Sequence, residues 1–296
     1  LKVQVGDHVE YLEEGDSIYY NSSTPHGMIA VGGKDCVFLA MVLSGEDVED
    51  EVVHETMPPL HIPKKEMVSE KFIITTEDKN GSLETIDFKN EDKFNFAFDV
   101  VDAIAAKNPD KLAMIHVSKD KTERRFTFND MKRGSNQCVN YFKSLGIKRG
   151  DRVMLILKRH YQFWYAIIAL HKLGAIAIPA TYQLQKHDIE YRFNAAEVST
   201  IICTADGDVA NQVDLAAAEC PSLKNKLMVG GSRDGWRNFD DEFPLYSAHY
   251  HRPEDAPCGD DLMLMFFTSG TTGYPKIAAH TYKYPLGHYI TAKYWH

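Results

Sequence analysis

Short apolar runs and helically spaced apolar positions alternate along most of this 296-residue chain. Residues 96–106 carry apolar side chains at helical spacing and stop before Asn108-Pro109. Residues 112–117 read as a strand, and residues 129–145 as a helix with Gly146 as its stop. Gly150-Asp151 turns into a strand at 153–157, and a mostly apolar helix at 161–173 closes on Gly174. The pattern continues as strand 175–179, helix 187–196, strand 200–203, helix 209–219 and strand 226–229. The last strand is expected at 262–267. Strands alternating with helices predict parallel βαβ units, so the fold class is α/β with a parallel sheet. The strand runs show little polar alternation, as expected where helices cover both faces of a sheet.

The first 44 residues differ. Val3, Val5, His8-Val9, Tyr11-Leu12, Ile18-Tyr19-Tyr20 and the run 37–42 are β-rich, with turn signals at Gly6-Asp7, Gly15-Asp16 and Gly32-Gly33. That is too little strand for an independent β domain. Residues 45–70 then change character. Glu46, Asp47, Glu49, Asp50 and Glu51 form an acidic cluster, followed by Pro58-Pro59 and Pro63. Such a composition is that of a linker. The expected organisation is a β-rich segment at 1–44, a linker at 45–70 and an α/β region at 71–296.

Composition excludes some classes. A hydrophobic fraction of 44% excludes wholesale disorder. With 33 basic and 42 acidic residues the net charge is −9, which argues against a nucleic-acid partner. Five cysteines without CxxC spacing read as reduced thiols, and the expected compartment is the cytoplasm. No apolar run is long enough to span a membrane, since the longest is broken at His171 and Lys172. No signal peptide is recognisable at the start. The chain starts at Leu1 rather than Met and ends in an aromatic, helix-like segment, so it reads as a fragment.

The stretch richest in chemistry follows the last expected strand: Thr268-Ser269-Gly270-Thr271-Thr272-Gly273-Tyr274-Pro275-Lys276. Glycines let a backbone approach a polyphosphate and expose N–H groups to it. Hydroxyls donate to phosphate oxygens, and a lysine supplies a mobile positive charge. The spacing is not that of a Walker loop, because only two residues separate Gly270 from Gly273 and Tyr274-Pro275 precedes Lys276. Taken as residues alone, the stretch is either a phosphate cradle or a plain strand-exit loop.

The same nine positions resemble the phosphate loop of the adenylate-forming, AMP-binding enzymes: acyl-CoA synthetases, luciferases and peptide-synthetase adenylation domains. Phe126-Thr127-Phe128-Asn129-Asp130-Met131 and Lys172-Leu173-Gly174-Ala175-Ile176-Ala177-Ile178-Pro179-Ala180 are similar to two further signatures of that family, in the same order, with Gly150-Asp151-Arg152-Val153 between them. His280, four residues after Lys276, resembles the acetyl- and medium-chain acyl-CoA synthetase branch. The resemblance covers residues 71–296. It implies a ligase in which a carboxylate attacks the α-phosphate of ATP, with Mg²⁺ neutralising phosphate charge, and the thiol of CoA then displaces AMP. It assigns ATP binding to Thr268, Ser269, Gly270, Thr271, Thr272, Gly273 and Lys276, with Lys276 in a supporting catalytic role. It implies that the adenine, ribose and Mg²⁺ motifs and the catalytic lysine of a C-terminal domain lie beyond this stretch. The chain by itself is therefore expected to be inactive. A transfer to a carrier-protein thiol, in place of CoA, also fits the resemblance.

Gly15-Asp16-Ser17-Ile18-Tyr19-Tyr20 with Pro25-His26 resembles the second motif of cupins, which makes residues 1–44 a partial barrel. An incomplete barrel exposes strand edges and suggests a homodimer. His26 stands where cupins often carry a metal ligand, but one imidazole is not a site, so no residue is assigned to metal. A cupin joined to an adenylation region also fits a different class: a regulator that binds nucleotide or acyl-adenylate without turnover. His249-Tyr250-His251 reads as a polar loop, Gly230-Gly231-Ser232 as a turn, residues 161–164 as aromatic core, and Lys158-Arg159-His160 as a solvated loop or a positive patch for CoA phosphates.

Overall fold

A computed structural model describes residues 1–13, 25–31, 68–268 and 273–294. The chain divides into two compact units, Leu1–Pro63 and Lys64–His296. In the first, β1 (Lys2–Val5), β2 (His8–Tyr11) and β3 (His26–Ile29) form an antiparallel sheet in the order β2-β1-β3. Gly6 adopts φ 58° in the turn that pairs Val5 with His8. Among the described residues of this unit, Val3 is the buried apolar one. His26 is the first residue of β3. The strands expected at 18–20 and 37–42 and the Gly15-Asp16 and Gly32-Gly33 turns lie outside the described residues.

The second unit opens with the hairpin β4 (Ile73–Glu77) and β5 (Leu83–Phe88). The helical spacing at 96–106 becomes a π-helix, Ala97–Asp102, running into α1 (Ala103–Lys107). A second hairpin, β6 (Leu112–Val117) and β7 (Glu123–Thr127), leads into α2 (Phe128–Ser144). Its start is a capping box: the Thr127 hydroxyl accepts from the Asp130 amide, and the Asp130 carboxylate accepts from the Thr127 amide at 2.8 Å. Strand β7, Glu-Arg-Arg-Phe-Thr, and strands β4 and β5 escape the pattern because their faces are largely exposed and carry polar side chains.

The central sheet contains β8 (Arg152–Ile156), β9 (Ile176–Pro179), β10 (Val198–Thr204), β11 (Asn225–Val229), β12 (Arg237–Asn238), β13 (Leu262–Thr268) and β14 (Lys276–Thr281). Its order is β12-β11-β10-β8-β9-β13-β14. All neighbours are parallel except β13 and β14. Helix α2 and α3 (Gln162–Leu173) cover one face, over Val153, Leu155, Ala177, Ile202 and Leu227. Helices α4 (Lys186–Ala195) and α5 (Val209–Ala217) cover the other, over Met154, Ile156, Ile178, Ile201 and Met228. Period-2 alternation is therefore present but invisible as polarity, because both faces are buried. Short α6 (Phe239–Glu242) and terminal α7 (Tyr284–Tyr294) complete the unit. The fold is α/β with a mostly parallel sheet, as expected. Strand 262–267 is not the last: β14 returns antiparallel on the sheet edge, where its half-exposed Lys-Ile-Ala-Ala-His-Thr sequence carries no strong strand signal.

Two buried polar pins lock this arrangement. Lys172 is wholly buried in α3. Its ammonium donates to Asp102 at 2.7 Å, to Ser135 at 3.0 Å and to Asn136 at 2.7 Å, so all three N–H bonds are used. Asn95, also wholly buried, donates to the carbonyls of His171 and Pro257 at 3.0 and 2.8 Å.

Candidate functional site

Strand β13 delivers the candidate loop to one end of the sheet. A register shift between Leu262 and Leu264 sets Met263 and Leu264 on the same core cluster. Beyond it the residues alternate, with Met265 and Phe267 on the α4–α5 side and Phe266 on the α2–α3 side. Thr268 ends the strand and is exposed. Ser269, Gly270, Thr271 and Thr272 lie outside the described residues. Gly273 then stands at φ 88°, a left-handed conformation that glycine adopts without strain. Tyr274 is 73% exposed, and its ring stacks on Tyr191 of α4 with centroids 4.7 Å apart. Lys276, exposed, begins β14 directly opposite Thr268. The Thr268 hydroxyl donates to the Lys276 carbonyl at 3.3 Å. Thr268 and Lys276 thus meet at the root of one hairpin, and Gly273 lies in the connection between them.

Because β13 is parallel to β9, this hairpin root emerges at the carboxyl ends of the parallel strands. The segments after β8 and β10 open at the same end. Strand β8 has β9 on one side and β10 on the other, so the chain reverses direction across the sheet there. Such switch points form the ligand crevices of open α/β sheets. Here Lys158, at φ 43°, places its ammonium 4.6 Å from the Tyr182 ring centroid. His160 is hydrogen-bonded to the Thr204 hydroxyl at 2.7 Å. Burial holds the His160 pKa below its ordinary value, although Asp206 opposes that shift. The solvated-loop reading therefore fits Lys158 and Arg159, both exposed, but not the half-buried His160.

Other candidates fall away from this end. His249 and His251 are exposed, and among the described residues no group of three metal-ligating side chains converges. An apolar cavity of about 850 Å³ lies at the other end of β13, lined by Met263, Leu264, His171, Phe94 and residues of α7. The cysteines at 138, 203, 220 and 258 are free thiols. Sequence reading missed Tyr191, Tyr182 and the Lys172 cluster, because each is defined by partners far along the chain.

A protein-family model described as AMP-binding enzyme matches residues 101–295. The chain belongs to this AMP-binding enzyme family. The mitochondrial acyl-coenzyme A synthetase ACSM5 of Rattus norvegicus is 38% identical over 202 residues, covering 66% of this chain and 34% of that protein. The human mitochondrial acyl-coenzyme A synthetase ACSM3 is 35% identical over 214 residues, covering 68% and 35%. The chain thus spans about a third of the length of the curated relatives it matches. Among solved structures, the anthranilate CoA ligase AuaEII in complex with anthranoyl-AMP aligns with a TM-score of 0.57 at 24% identity, over 67% of this chain and 36% of that one. A fatty acyl CoA synthetase of Mycobacterium tuberculosis aligns with a TM-score of 0.55 at 23% identity, over 65% and 36%. At those identities the two structures establish the fold, which is that of adenylate-forming ligases. No helix among the described residues is long and apolar enough to cross a membrane.

Proposed function

We propose that this chain is the phosphate-loop region of an ATP-dependent acid–thiol ligase, which activates a carboxylic acid as its acyl-adenylate and transfers the acyl group to CoA. The hairpin root carries the reading: an exposed lysine and a threonine hydroxyl flank a Gly/Ser/Thr loop at the carboxyl end of the sheet. Thr268, Ser269, Gly270, Thr271, Thr272, Gly273 and Lys276 hold the phosphates of ATP. Hydroxyls and backbone N–H groups donate to the phosphate oxygens, and Lys276 neutralises charge that builds up as pyrophosphate leaves. Mg²⁺ bound to ATP would lower the charge that the acid's carboxylate must approach. Among the described residues no carboxylate cluster is present to hold that ion independently. The names of the relatives support CoA as the acceptor thiol and, for the mycobacterial structure, fatty acids as one class of acid.

The domain plan of this reading is a partial cupin at 1–44, a linker at 45–70 and the AMP-binding region at 71–296, with two copies pairing through the cupin strands. Support for the first part is the antiparallel sheet β2-β1-β3. The unpaired cysteine count supports a reducing compartment, the cytoplasm, whereas the relatives quoted above are named as mitochondrial.

The test is pyrophosphate release by the longer protein that carries this chain, with ATP, Mg²⁺ and a panel of short, medium and aromatic acids, with and without CoA. Acid-dependent release, with AMP and acyl-CoA accumulating when CoA is present, is the expected result. Lys276→Ala should weaken ATP use by about 10- to 100-fold, the range of a lost charge-assisted hydrogen bond. ATP binding without release for any acid would replace the ligase with a nucleotide-binding regulator.

A further inference from the structure

We propose that Tyr191 is a positioning residue for Lys276, clamping both arms of the hairpin that presents it. The inference rests on reading Lys276 as a phosphate-binding cation. Proline has no N–H, so Pro275 itself can be tied down only through its carbonyl and its ring. The Tyr191 hydroxyl donates to the Pro275 carbonyl at 2.9 Å, one peptide before Lys276. The Tyr191 ring lies against Tyr274 at 4.7 Å with planes 20° apart. The same ring meets Phe267 edge-on at 6.3 Å, one residue before Thr268. One side chain therefore touches the strand that enters the loop and the segment that leaves it.

The anchor is rigid. Tyr191 sits on α4 between Ile189 and Phe193, both fully buried against the sheet. The neighbouring Arg192 lays its guanidinium 5.4 Å from the Phe267 ring centroid, which holds the entering arm from the same helix. Lys276 gains from this because a lysine ammonium rides on four rotatable bonds, and its reach is set by where the backbone starts. A site loosened by an ångström loses much of its value to a reacting phosphate. The ladder partner Thr268 fixes Lys276 from one side, and Tyr191 fixes the preceding peptide from the other.

The test is calorimetric titration of the 296-residue chain with inorganic tripolyphosphate, which carries the phosphates of ATP without its base. Wild type binds, and Lys276→Ala binds weakly. Tyr191→Phe keeps the ring and removes the hydroxyl, and it raises Kd about fivefold, the scale of one neutral hydrogen bond. Tyr191→Leu removes the ring contacts as well and raises Kd further. In the Lys276→Ala background Tyr191→Phe changes nothing more, because the hydroxyl acts through Lys276. The midpoint of thermal unfolding of Tyr191→Phe stays within a few degrees of wild type, which separates positioning from general destabilisation. Unchanged affinity in Tyr191→Phe, or an equal loss with and without Lys276, overturns the proposal while leaving the phosphate-loop reading intact. Failure of the wild-type chain to bind tripolyphosphate at all overturns the phosphate-loop reading first, and the role of Tyr191 with it.

Discussion

Replacing Lys172 with Met tests whether one buried ammonium holds α3, α2 and the π-helix together. Lys172 is wholly buried, and its three donors are taken by Asp102, Ser135 and Asn136 at 2.7, 3.0 and 2.7 Å. Methionine follows the lysine stem as far as Cε, lacks the ammonium and leaves those acceptors facing an apolar tip. Asp102 is the critical one, since its side chain is only 14% exposed and loses its counter-ion. Breaking a buried pair by removing one partner costs about 3–5 kcal/mol. For a unit of this size that is a fall of roughly 6–20 °C in the unfolding midpoint. The pH dependence adds a second readout. Burial already pushes the Asp102 pKa up and that of Lys172 down, against their mutual attraction. Without the ammonium, the Asp102 carboxyl rises further. A carboxyl raised in the folded state favours folding at pH values where it is protonated, and that contribution is lost as pH climbs through its folded value. The deficit of Lys172→Met should therefore be larger at pH 7.5 than at pH 5, because a larger share of the raised Asp102 carboxyl is protonated at the lower pH. Urea unfolding at both pH values measures it. A second substitution, Asp102→Leu, should restore at least half of the loss, because no charge then remains buried. A deficit under about 1 kcal/mol, or a double variant no more stable than the single one, would refute this account of the cluster.

Two other substitutions probe the core around the same helix. A methyl group at Gly134 would stand 2.6 Å from the Tyr165 ring, so Gly134→Ala should cost about 1–3 kcal/mol by separating α2 from α3, read as a lower urea midpoint. His171 is buried with neither ring nitrogen hydrogen-bonded, and burial holds its pKa down to about 3. The unfolded chain takes up a proton below about pH 6.5 that the folded chain refuses until pH 3, so this residue removes stability as pH falls across that window. His171→Leu should match or exceed wild-type stability at pH 7 and flatten the acid slope, and an unchanged slope in urea melts between pH 7 and 4.5 would contradict it.

The parts of the fold that were legible share one property: their information is local. Helix α3 is announced by twelve mostly apolar residues and a closing glycine, and Gly174 indeed stands at φ 84°. Strands β8, β9, β10 and β11 are short apolar runs, as strands covered on both faces are. Strands β4, β5, β7 and β14 stayed hidden because each is paired antiparallel and largely exposed, which leaves polar residues in them. The helix expected at 96–106 is present, but the π-turn at Ala97–Asp102 could not be told from an α-helix, since its apolar spacing is close to that of one. In the candidate site the loop could be picked out by residue type, because nine adjacent positions hold its glycines, hydroxyls and lysine. Its support could not.

By itself the sequence determined the class of the sheet, the position of the phosphate-type loop and the family of AMP-binding enzymes to which the chain belongs. Each of these depends on residues within a few positions of one another, where period, turn chemistry and motif spacing act directly. The tertiary structure alone decided that Lys276 opens an edge strand opposite Thr268, that Tyr191 reaches Pro275 across 84 positions, and that Lys172 meets Asp102 across 70. Those contacts join residues whose chemistry is unremarkable in isolation. Only the folded sheet, with helices on both faces, brings a tyrosine to the loop and makes a buried lysine affordable through its three acceptors.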